Sequence, residues 1–386
     1  MTPFVFNTTP SIVFEPGAAG RLGAIAGRKL GARVLFVTDP GLRRLGLGDA
    51  AVASLEGQGI VVTMFDAVEA DPSRATLEKA VEAGRAAQAT SVVGFGGGSS
   101  LDVAKLVALL LGSGEDLDGA WGVAQAKGPR LPLVLVPTTA GTGSEVTPVS
   151  IITVGEEEKR GVSSPVILPD VAVLDAELTL GLPAHITAAT GVDAMVHAIE
   201  AYASKNANNN PLSRMLARQA LQLLGANIET VVREPANVAA RGAMLLGSML
   251  AGQAFANSPV AAVHALAYPI GGTFHVPHGL SNALVLPHVL RFNAPDAAHL
   301  YAEIAGDAFP HLAREEGAQG RCSAFIEELA GLSTRLGMQT RLREVKIGEE
   351  HLAKMAADAM KQQRLLVNNP RPVAEADALA IYRAAW

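Results

Sequence analysis

Ser91-Val-Val-Gly-Phe-Gly-Gly-Gly-Ser-Ser-Leu-Asp102 is the segment that indicates the fold class of this chain most clearly. A β-branched apolar run passes through three consecutive glycines into a segment with helical spacing. Glycines let the backbone approach a bulky anion, and a helix N-terminus offers free N–H groups. The pattern therefore predicts a strand, a phosphate-binding loop and a helix, although neither standard nucleotide-binding spacing is present. The alternative is that Ser99 and Asp102 form a capping box and the glycines are turn material.

Similar strand and helix patterns alternate on both sides of this loop. This alternation predicts an α/β fold with a parallel sheet over residues 1–182, and the helical patterns after it predict an all-helical domain over residues 183–386. The cleft between the two halves is the expected place for a site. The predicted strands are 33–38, 60–65, 91–95, 131–136 and 171–174, and the clearest predicted helices are 73–87 and 99–111.

Composition narrows the possible partners. The chain has 386 residues, 49% of them hydrophobic, a net charge of −6 and no basic stripe, which favours a small diffusible substrate over nucleic acid. The 22 residues without a charge between Arg241 and His264 could span a bilayer by length, but polar residues interrupt them, so no membrane segment is expected. No signal peptide is recognised and Cys322 has no disulfide partner, so a cytoplasmic location is expected.

Two further polar segments follow predicted strands. Asp39 comes at the end of the strand over 33–38, where an acid can bind an adenosine ribose and repel a 2′-phosphate. An ordinary Asp-Pro turn explains it equally well. The segment from Pro137 to Thr147 combines hydroxyls and glycines directly after an apolar strand, a suitable lining for a phosphate–ribose groove.

Four residues form a candidate metal site. Asp193 and His197 are four positions apart, and therefore on one face of a helix, among apolar neighbours. His264 and His278 follow in a second segment poor in charge, and one carboxylate with three imidazoles suits a divalent transition metal. The alternatives are a capping box from Thr190 to Asp193 and, for His197, a core histidine bonded to a carbonyl.

His264 and His278 can share a metal only if the chain turns back between them. Fourteen residues of straight helix would separate them by about 21 Å. The segment contains Pro269, Gly271, Gly272 and Pro277, which predict such a turn, and His275 is a competing ligand.

Taken together, these motifs resemble the iron-containing (group III) alcohol dehydrogenases over about residues 5–305. The resemblance implies a dinucleotide-binding domain, a helical metal domain, a homodimer, and Fe²⁺ bound by Asp193, His197, His264 and His278, with Zn²⁺ as the competitor. It also implies NAD rather than NADP, because of Asp39. The implied NAD-site residues are Asp39, Gly97, Gly98, Ser99, Asp102, Thr138, Thr139, Thr142, Thr147, Lys159 and Leu178.

The implied reaction is hydride transfer between a primary alcohol, or a short hydroxyacid, and NAD, with the metal as Lewis acid. Tyr268 stands where many members of the family have a catalytic histidine. Some hydroxyacid–oxoacid transhydrogenases and 4-hydroxybutyrate dehydrogenases are similar to this chain at that position, and these two activities are the alternatives to an alcohol dehydrogenase. A tyrosine donates a hydrogen bond but is a poor proton acceptor.

Two more remote alternatives are a lyase like dehydroquinate synthase and a non-enzymatic sensor. The lyase is disfavoured because no Lys or Arg occurs from Gly242 to Leu290. The substrate is left open: no arginine is recognisable as a carboxylate clamp, and the last eighty residues carry no usable motif.

Overall fold

The computed structural model describes residues 3–155 and 158–386, which form two compact units. The α/β unit comprises Asn7–Thr139 and Gly143–Gly181. The helical unit contains Leu182–Trp386, together with the N-terminal segment that ends at Phe6 and the short segment Ala140–Thr142. The helical unit is therefore built from three separate parts of the chain.

A six-stranded parallel sheet forms the centre of the α/β unit, in the order β1-β9-β6-β4-β2-β3. All five predicted strands are present in it. The strand β1, which is short and half-exposed, was not predicted. The strands of this sheet are β1 Ser11–Phe14, β2 Arg33–Val37, β3 Val61–Phe65, β4 Ser91–Gly96, β6 Leu133–Pro137 and β9 Val171–Leu174.

Successive residues of the central strands are buried on opposite faces of the sheet, which is why their sequences are almost continuously apolar. Leu35 and Leu133 pack on one face, where the helices α4 (Arg74–Ala86) and α5 (Gly98–Ser113) cover the sheet. Phe36 and Phe95 lie in the core of the opposite face, with ring centroids 5.4 Å apart. Both faces of the sheet are thus covered over its central strands.

A second sheet of three strands, in the order β5-β8-β7, lies in the same unit and was not predicted. β7 and β8 form an antiparallel pair, and β8 has the charged sequence Glu158-Lys-Arg160, which conceals its strand character. Its strands are β5 Gly122–Val123, β7 Val149–Val154 and β8 Glu158–Ser163. The α-helices of the unit are α1 Leu22–Ala26, α2 Pro40–Arg44, α3 Asp49–Glu56, α4 Arg74–Ala86, α5 Gly98–Ser113 and α6 Leu117–Ala120.

The order of the sheet reverses between β2 and β4. The chain moves outward in one direction from β2 to β3, then returns to the other side of β2 and continues through β4, β6 and β9. In open parallel sheets, ligands bind at the carboxyl ends of the strands beside such a reversal. Asp39 and the glycine loop follow β2 and β4, so the fold places them at this point.

The rest of the described chain from Pro183 onward is helical, as predicted. No helix among the described residues is long and apolar enough to cross a membrane, and this includes the uncharged segment before His264. The helices are α7 Ala184–Ala203, α8 Pro211–Arg233, α9 Val238–Asn257, α10 Ala262–Phe274, α11 His278–Ala308, α12 Gly317–Arg335, α13 Leu352–Ala359, α14 Gln363–Leu366 and α15 Glu375–Ala385.

Candidate metal and cofactor site

Helix α7 carries three ionisable side chains on one buried face. Asp193, His197 and Glu200 are spaced so that all three lie on the same side, and each is at most 5% exposed. The proposed capping box at Thr190 is wrong, because the helix already begins at Ala184. The Thr190 hydroxyl instead donates to the carbonyl of Ile186 one turn earlier, at 2.9 Å. Asp193 is therefore not a helix cap, and its burial requires other partners.

A tight turn between α10 and α11 brings His264 and His278 together. α10 ends at Phe274, its C-cap residue His275 has a left-handed backbone with φ of 54°, and α11 begins at His278 directly after Pro277. The turn is shorter than predicted, since Pro269, Gly271 and Gly272 all lie inside α10. His275 is exposed and lies outside the cluster described next.

The four predicted metal ligands converge. One possible ligand atom from each of Asp193, His197, His264 and His278 lies within 4.8 Å of all the others. It is the one such group of at least three His, Cys, Asp or Glu side chains among the described residues. Its members come from α7, α10 and α11, and α11 packs on both of the other helices.

Glu200 determines which nitrogen of His264 faces the cluster. His264 Nδ1 lies 2.7 Å from Glu200 Oε2, so the tautomer with its hydrogen on Nδ1 donates to the carboxylate and directs the Nε2 lone pair to the cluster. Nε2 is buried without a hydrogen-bond partner among the described residues. Glu200 is itself held by the N–H groups of Ala261 and Val263, at 3.0 and 2.7 Å. A buried imidazole lone pair with no donor suits a metal ligand.

The orientation of the second buried histidine, His197, is fixed in a similar way. His197 Nδ1 lies 3.2 Å from the carbonyl oxygen of Gly141, and its ring stacks on Phe255 and on His264 at centroid distances of 4.4 and 4.7 Å. Burial lowers the pKa of His197 to about 3. The imidazole is thus neutral at physiological pH, with Nε2 available to a metal.

Asn282 holds the carboxylate of the cluster. Its side-chain amide donates to Asp193 Oδ1 at 2.6 Å. Burial alone would raise the pKa of Asp193, but the surrounding imidazoles and this amide outweigh burial and lower it. Neither Glu200 nor Asn282 was predicted as a site residue. The only sequence signal for Glu200 was its position on the same helical face as Asp193 and His197.

Tyr268 lies beside the most exposed ligand. It follows His264 by one turn of α10, and its ring centroid is 6.3 Å from that of His278. The side chain of His278 is 37% exposed, whereas those of Asp193 and His264 are at most 4% exposed. His278 is therefore on the most exposed side of the cluster, and Tyr268 lies next to it on this open side.

In the α/β unit, several predicted NAD-site residues meet at the sheet reversal. Asp39 caps α2, and its Oδ1 accepts from the N–H groups of Gly41 and Leu42 at 2.8 and 2.9 Å. The hydroxyl of the preceding Thr38 is buried without a partner among the described residues. The strands that carry Asp39, the glycine loop and Thr138 are adjacent, so these three groups share one edge of the sheet.

The glycine loop has little room for a side chain at the first of its three glycines, Gly96. Gly96 has φ of 151°, and a methyl group there would lie 2.7 Å from the Ser100 hydroxyl. A methyl group on Gly97 would lie 3.5 Å from the Thr139 methyl group, so the loop is next to the Thr138–Thr139 turn. Gly98 and Ser99 form the first turn of α5, with Gly97 as its N-cap. The helix start thus faces the end of the sheet with no capping side chain on its free N–H groups.

Asp102 is not a capping residue, which corrects the alternative drawn from the sequence. Its oxygens accept from the Ser144 hydroxyl at 2.6 Å and from the N–H of Ile151 at 2.9 Å. Lys105 is fully buried nearby and donates to Ser144, to Thr147 Oγ1 and to the carbonyl of Val149. These contacts hold the segment after β6 against α5.

The remaining predicted NAD-site residues have different surroundings. Lys159 forms an ion pair with Asp71, and Leu178 is buried in the core of one face of the sheet. Thr142 belongs to the helical unit, together with Gly141.

Glu145, in the α/β unit, is a buried carboxylic acid. It is 2% exposed, and its Oε1 has no partner among the described residues. Burial raises the pKa of Glu145 to about 7.

Known proteins are similar to this chain in sequence and in architecture. The family described as iron-containing alcohol dehydrogenase matches residues 9–176, and the family's C-terminal domain matches residues 187–386. Long-chain-alcohol dehydrogenase 1 of Geobacillus thermodenitrificans is 41% identical over 366 residues, which is 93% of this chain and 91% of that protein.

Solved structures agree with these sequence matches. The crystal structure of a 1,3-propanediol oxidoreductase superimposes with a TM-score of 0.95 over the whole of both chains, at 34% identity. Sulfoacetaldehyde reductase from Bifidobacterium kashiwanohense, in complex with NAD⁺, has a TM-score of 0.87 at 28% identity and covers 100% of this chain and 99% of that one. The chain belongs to the iron-containing alcohol dehydrogenase family and is an oxidoreductase.

Proposed function

We propose that this chain is a metal-dependent, NAD-linked dehydrogenase that interconverts a primary alcohol, or a short hydroxyacid, with its aldehyde or oxo form. The observation that supports it most directly is the buried group of Asp193, His197, His264 and His278, with ligand atoms within 4.8 Å of one another. Oxidation of the alcohol releases a hydride to NAD⁺ and a proton to water, giving aldehyde and NADH.

The donor set fits a divalent transition metal. Asp193, His197, His264 and His278 would hold it. Glu200 and the Gly141 carbonyl keep the two buried imidazoles in the tautomer that a metal requires. A metal bound there would supply Lewis-acid polarisation of the substrate oxygen, and bound NAD⁺ would accept the hydride. Fe²⁺ is proposed from the family, with Zn²⁺ as the competitor that the same ligands would accept.

The cofactor is proposed to bind at the sheet reversal of the α/β unit. The pyrophosphate would lie at the start of α5, against Gly97, Gly98 and Ser99. Asp39 has Oδ1 committed to its helix cap, while Oδ2 can accept from a ribose hydroxyl and would repel a 2′-phosphate. The NAD⁺ complex of the related sulfoacetaldehyde reductase supports the choice of NAD.

The other predicted NAD-site residues fall into two groups. Asp102 and Thr147 have protein partners that fix the segment after β6, so we propose that they position this segment and do not bind the cofactor directly. Thr138, Thr139, Thr142, Lys159 and Leu178 stay predictions as cofactor contacts. A homodimer and a cytoplasmic location also stay predictions, the first testable by light scattering of the purified protein.

Tyr268 is proposed to orient the substrate and not to accept its proton. Its position beside His278, at the open side of the cluster, lets its hydroxyl donate a hydrogen bond to a substrate oxygen. A phenol remains protonated at physiological pH, so the alcohol proton is proposed to leave through water or a ribose hydroxyl.

The test is NADH formation, followed by absorbance, from a panel of short alcohols and hydroxyacids. Protein stripped with a chelator should be inactive and should recover when Fe²⁺ or Zn²⁺ is restored without oxygen. His264→Ala should lose both metal and turnover but keep its helical circular dichroism. An active, metal-replete His264→Ala protein would refute the ligand assignment. Turnover that requires an added oxoacid would instead indicate the transhydrogenase.

A further inference from the structure

A positive charge lies near the open side of the metal cluster. His278 is the one ligand with a substantially exposed side chain, and Tyr268 is its neighbour on the open side. The next group outward is Arg364, whose Nη2 lies 3.4 Å from the Tyr268 hydroxyl. His278, Tyr268 and Arg364 thus form a continuous series from the proposed reaction centre to a guanidinium.

The base of Arg364 is fixed although its end is exposed. Arg364 lies in the short helix α14, which packs on α10, and the two following leucines are buried. The carbonyl of Arg364 accepts from the Asn368 amide at 3.0 Å, and the same amide donates to the carbonyl of Val260. These contacts fix the backbone of Arg364 beside α10, and the contact of Nη2 with Tyr268 places the guanidinium next to that hydroxyl.

The guanidinium has no counter-charge among the described residues. It forms no salt bridge with any carboxylate in the described part of the chain, whereas the neighbouring Lys361 pairs with Asp358 at 2.6 Å. A guanidinium presents parallel N–H donors that match the oxygens of a carboxylate or sulfonate. An exposed, anchored arginine beside a reaction centre is therefore suited to bind an anionic group.

We propose that Arg364, with the Tyr268 hydroxyl, binds an anionic group at the end of the substrate remote from the reacting alcohol. The preferred substrates are then ω-hydroxy acids, carboxylic or sulfonic, and the corresponding aldehyde acids. This proposal rests on the proposed dehydrogenase function and specifies its substrate class. A neutral diol leaves Arg364 in water, so the preference arises from added binding of the anion.

The experiment compares matched substrates that differ only in the terminal group. 4-Hydroxybutanoate, 3-hydroxypropane-1-sulfonate and 1,4-butanediol are assayed with the metal-loaded full-length protein, its Arg364→Gln and Arg364→Lys variants, and Lys361→Gln as the matched control for charge. For each protein, kcat/KM for the anion is divided by kcat/KM for the diol. Arg364→Gln should lower this ratio by about 10-fold or more, mainly through KM, with a smaller decrease in Arg364→Lys. Lys361→Gln should keep the wild-type ratio.

An unchanged ratio in Arg364→Gln, or an equal decrease in Lys361→Gln, would overturn the proposal. The carboxylate and sulfonate arms show which anion is preferred. Calorimetric titration with butanoate, which has no hydroxyl group to oxidise, tests the anion site independently of the dehydrogenase activity. If the wild type oxidises none of the substrates, the dehydrogenase proposal fails. In that case, butanoate binding that is present in the wild type and lost in Arg364→Gln still supports the anion site, and equal binding in both refutes it.

Discussion

Replacing Glu200 with Gln tests whether the tautomer of His264 controls metal binding. The carboxylate accepts three hydrogen bonds, from the N–H groups of Ala261 and Val263 and from His264 Nδ1. A glutamine has one acceptor oxygen, so its amide must face at least one of these donors. In the best arrangement the oxygen keeps Ala261 and His264, and the N–H of Val263 loses its partner.

The expected loss follows from these contacts. A buried N–H without a partner costs about 1–3 kcal/mol of stability. The substitution also removes the anionic partner of the His264 ring, and partners of this kind typically contribute about 10- to 100-fold to metal affinity. If the amide instead faces His264 Nδ1, the proton moves to Nε2 and metal binding is lost altogether. We therefore expect Glu200→Gln to weaken metal affinity by at least about 10-fold, or about 1.4 kcal/mol.

The assay is a titration of stripped protein with Zn²⁺ in competition with a chromophoric chelator. Glu303→Gln is a suitable control, because Glu303 pairs with the Tyr202 hydroxyl and lies outside the cluster. It should bind metal like the wild type. If Glu200→Gln kept wild-type affinity while His264→Ala lost it, Glu200 would have no role in preparing His264.

Three other substitutions address separate parts of the structure. Gly141→Ala would place a methyl group 2.7 Å from the Thr190 side chain, so it should displace the carbonyl that orients His197, lowering both Tm and metal affinity. Asp39→Ser keeps a helix cap but removes the charge, and the ratio of NADP to NAD activity should rise by about 10-fold or more; an unchanged ratio would exclude a ribose contact. Burial raises the pKa of Glu145 from 4.5 to about 7. The contribution of the neutral Glu145 carboxyl to the free energy of unfolding is therefore complete below pH 4.5 and is lost as pH rises through 7. Glu145→Gln should therefore flatten Tm between these pH values and raise stability at higher pH by up to about 3 kcal/mol; a parallel Tm profile would refute this.

The features that could be predicted were those encoded locally. Apolar runs bounded by turn residues marked the strands, and the spacing of Asp193 and His197 placed them on one helical face. The turn that joins His264 to His278 was also anticipated, although Pro269 proved to be inside α10. A proline within a helix is locally unfavourable, so sequence alone placed the turn too early.

The features that were missed depend on contacts between distant segments. Glu200 takes its role from backbone N–H groups at Ala261 and Val263, which no pattern around Glu200 reveals. Arg364 lies in a region without a recognised motif and gains its meaning only from packing against α10. The capping-box interpretation at Asp102 failed because the carboxylate binds Ser144 and Ile151, far along the chain.

The three-part construction of the helical unit limits its modularity. Ala140–Thr142 is separated in sequence from the rest of that unit, yet it supplies the carbonyl that orients His197. A fragment that began at residue 183 would contain all four proposed metal ligands but lack this carbonyl. Recombination at the apparent sequence boundary would thus transfer the ligands without the group that prepares one of them. During synthesis, the segment from Ala140 to Thr142 must also wait for α7 before it finds its place.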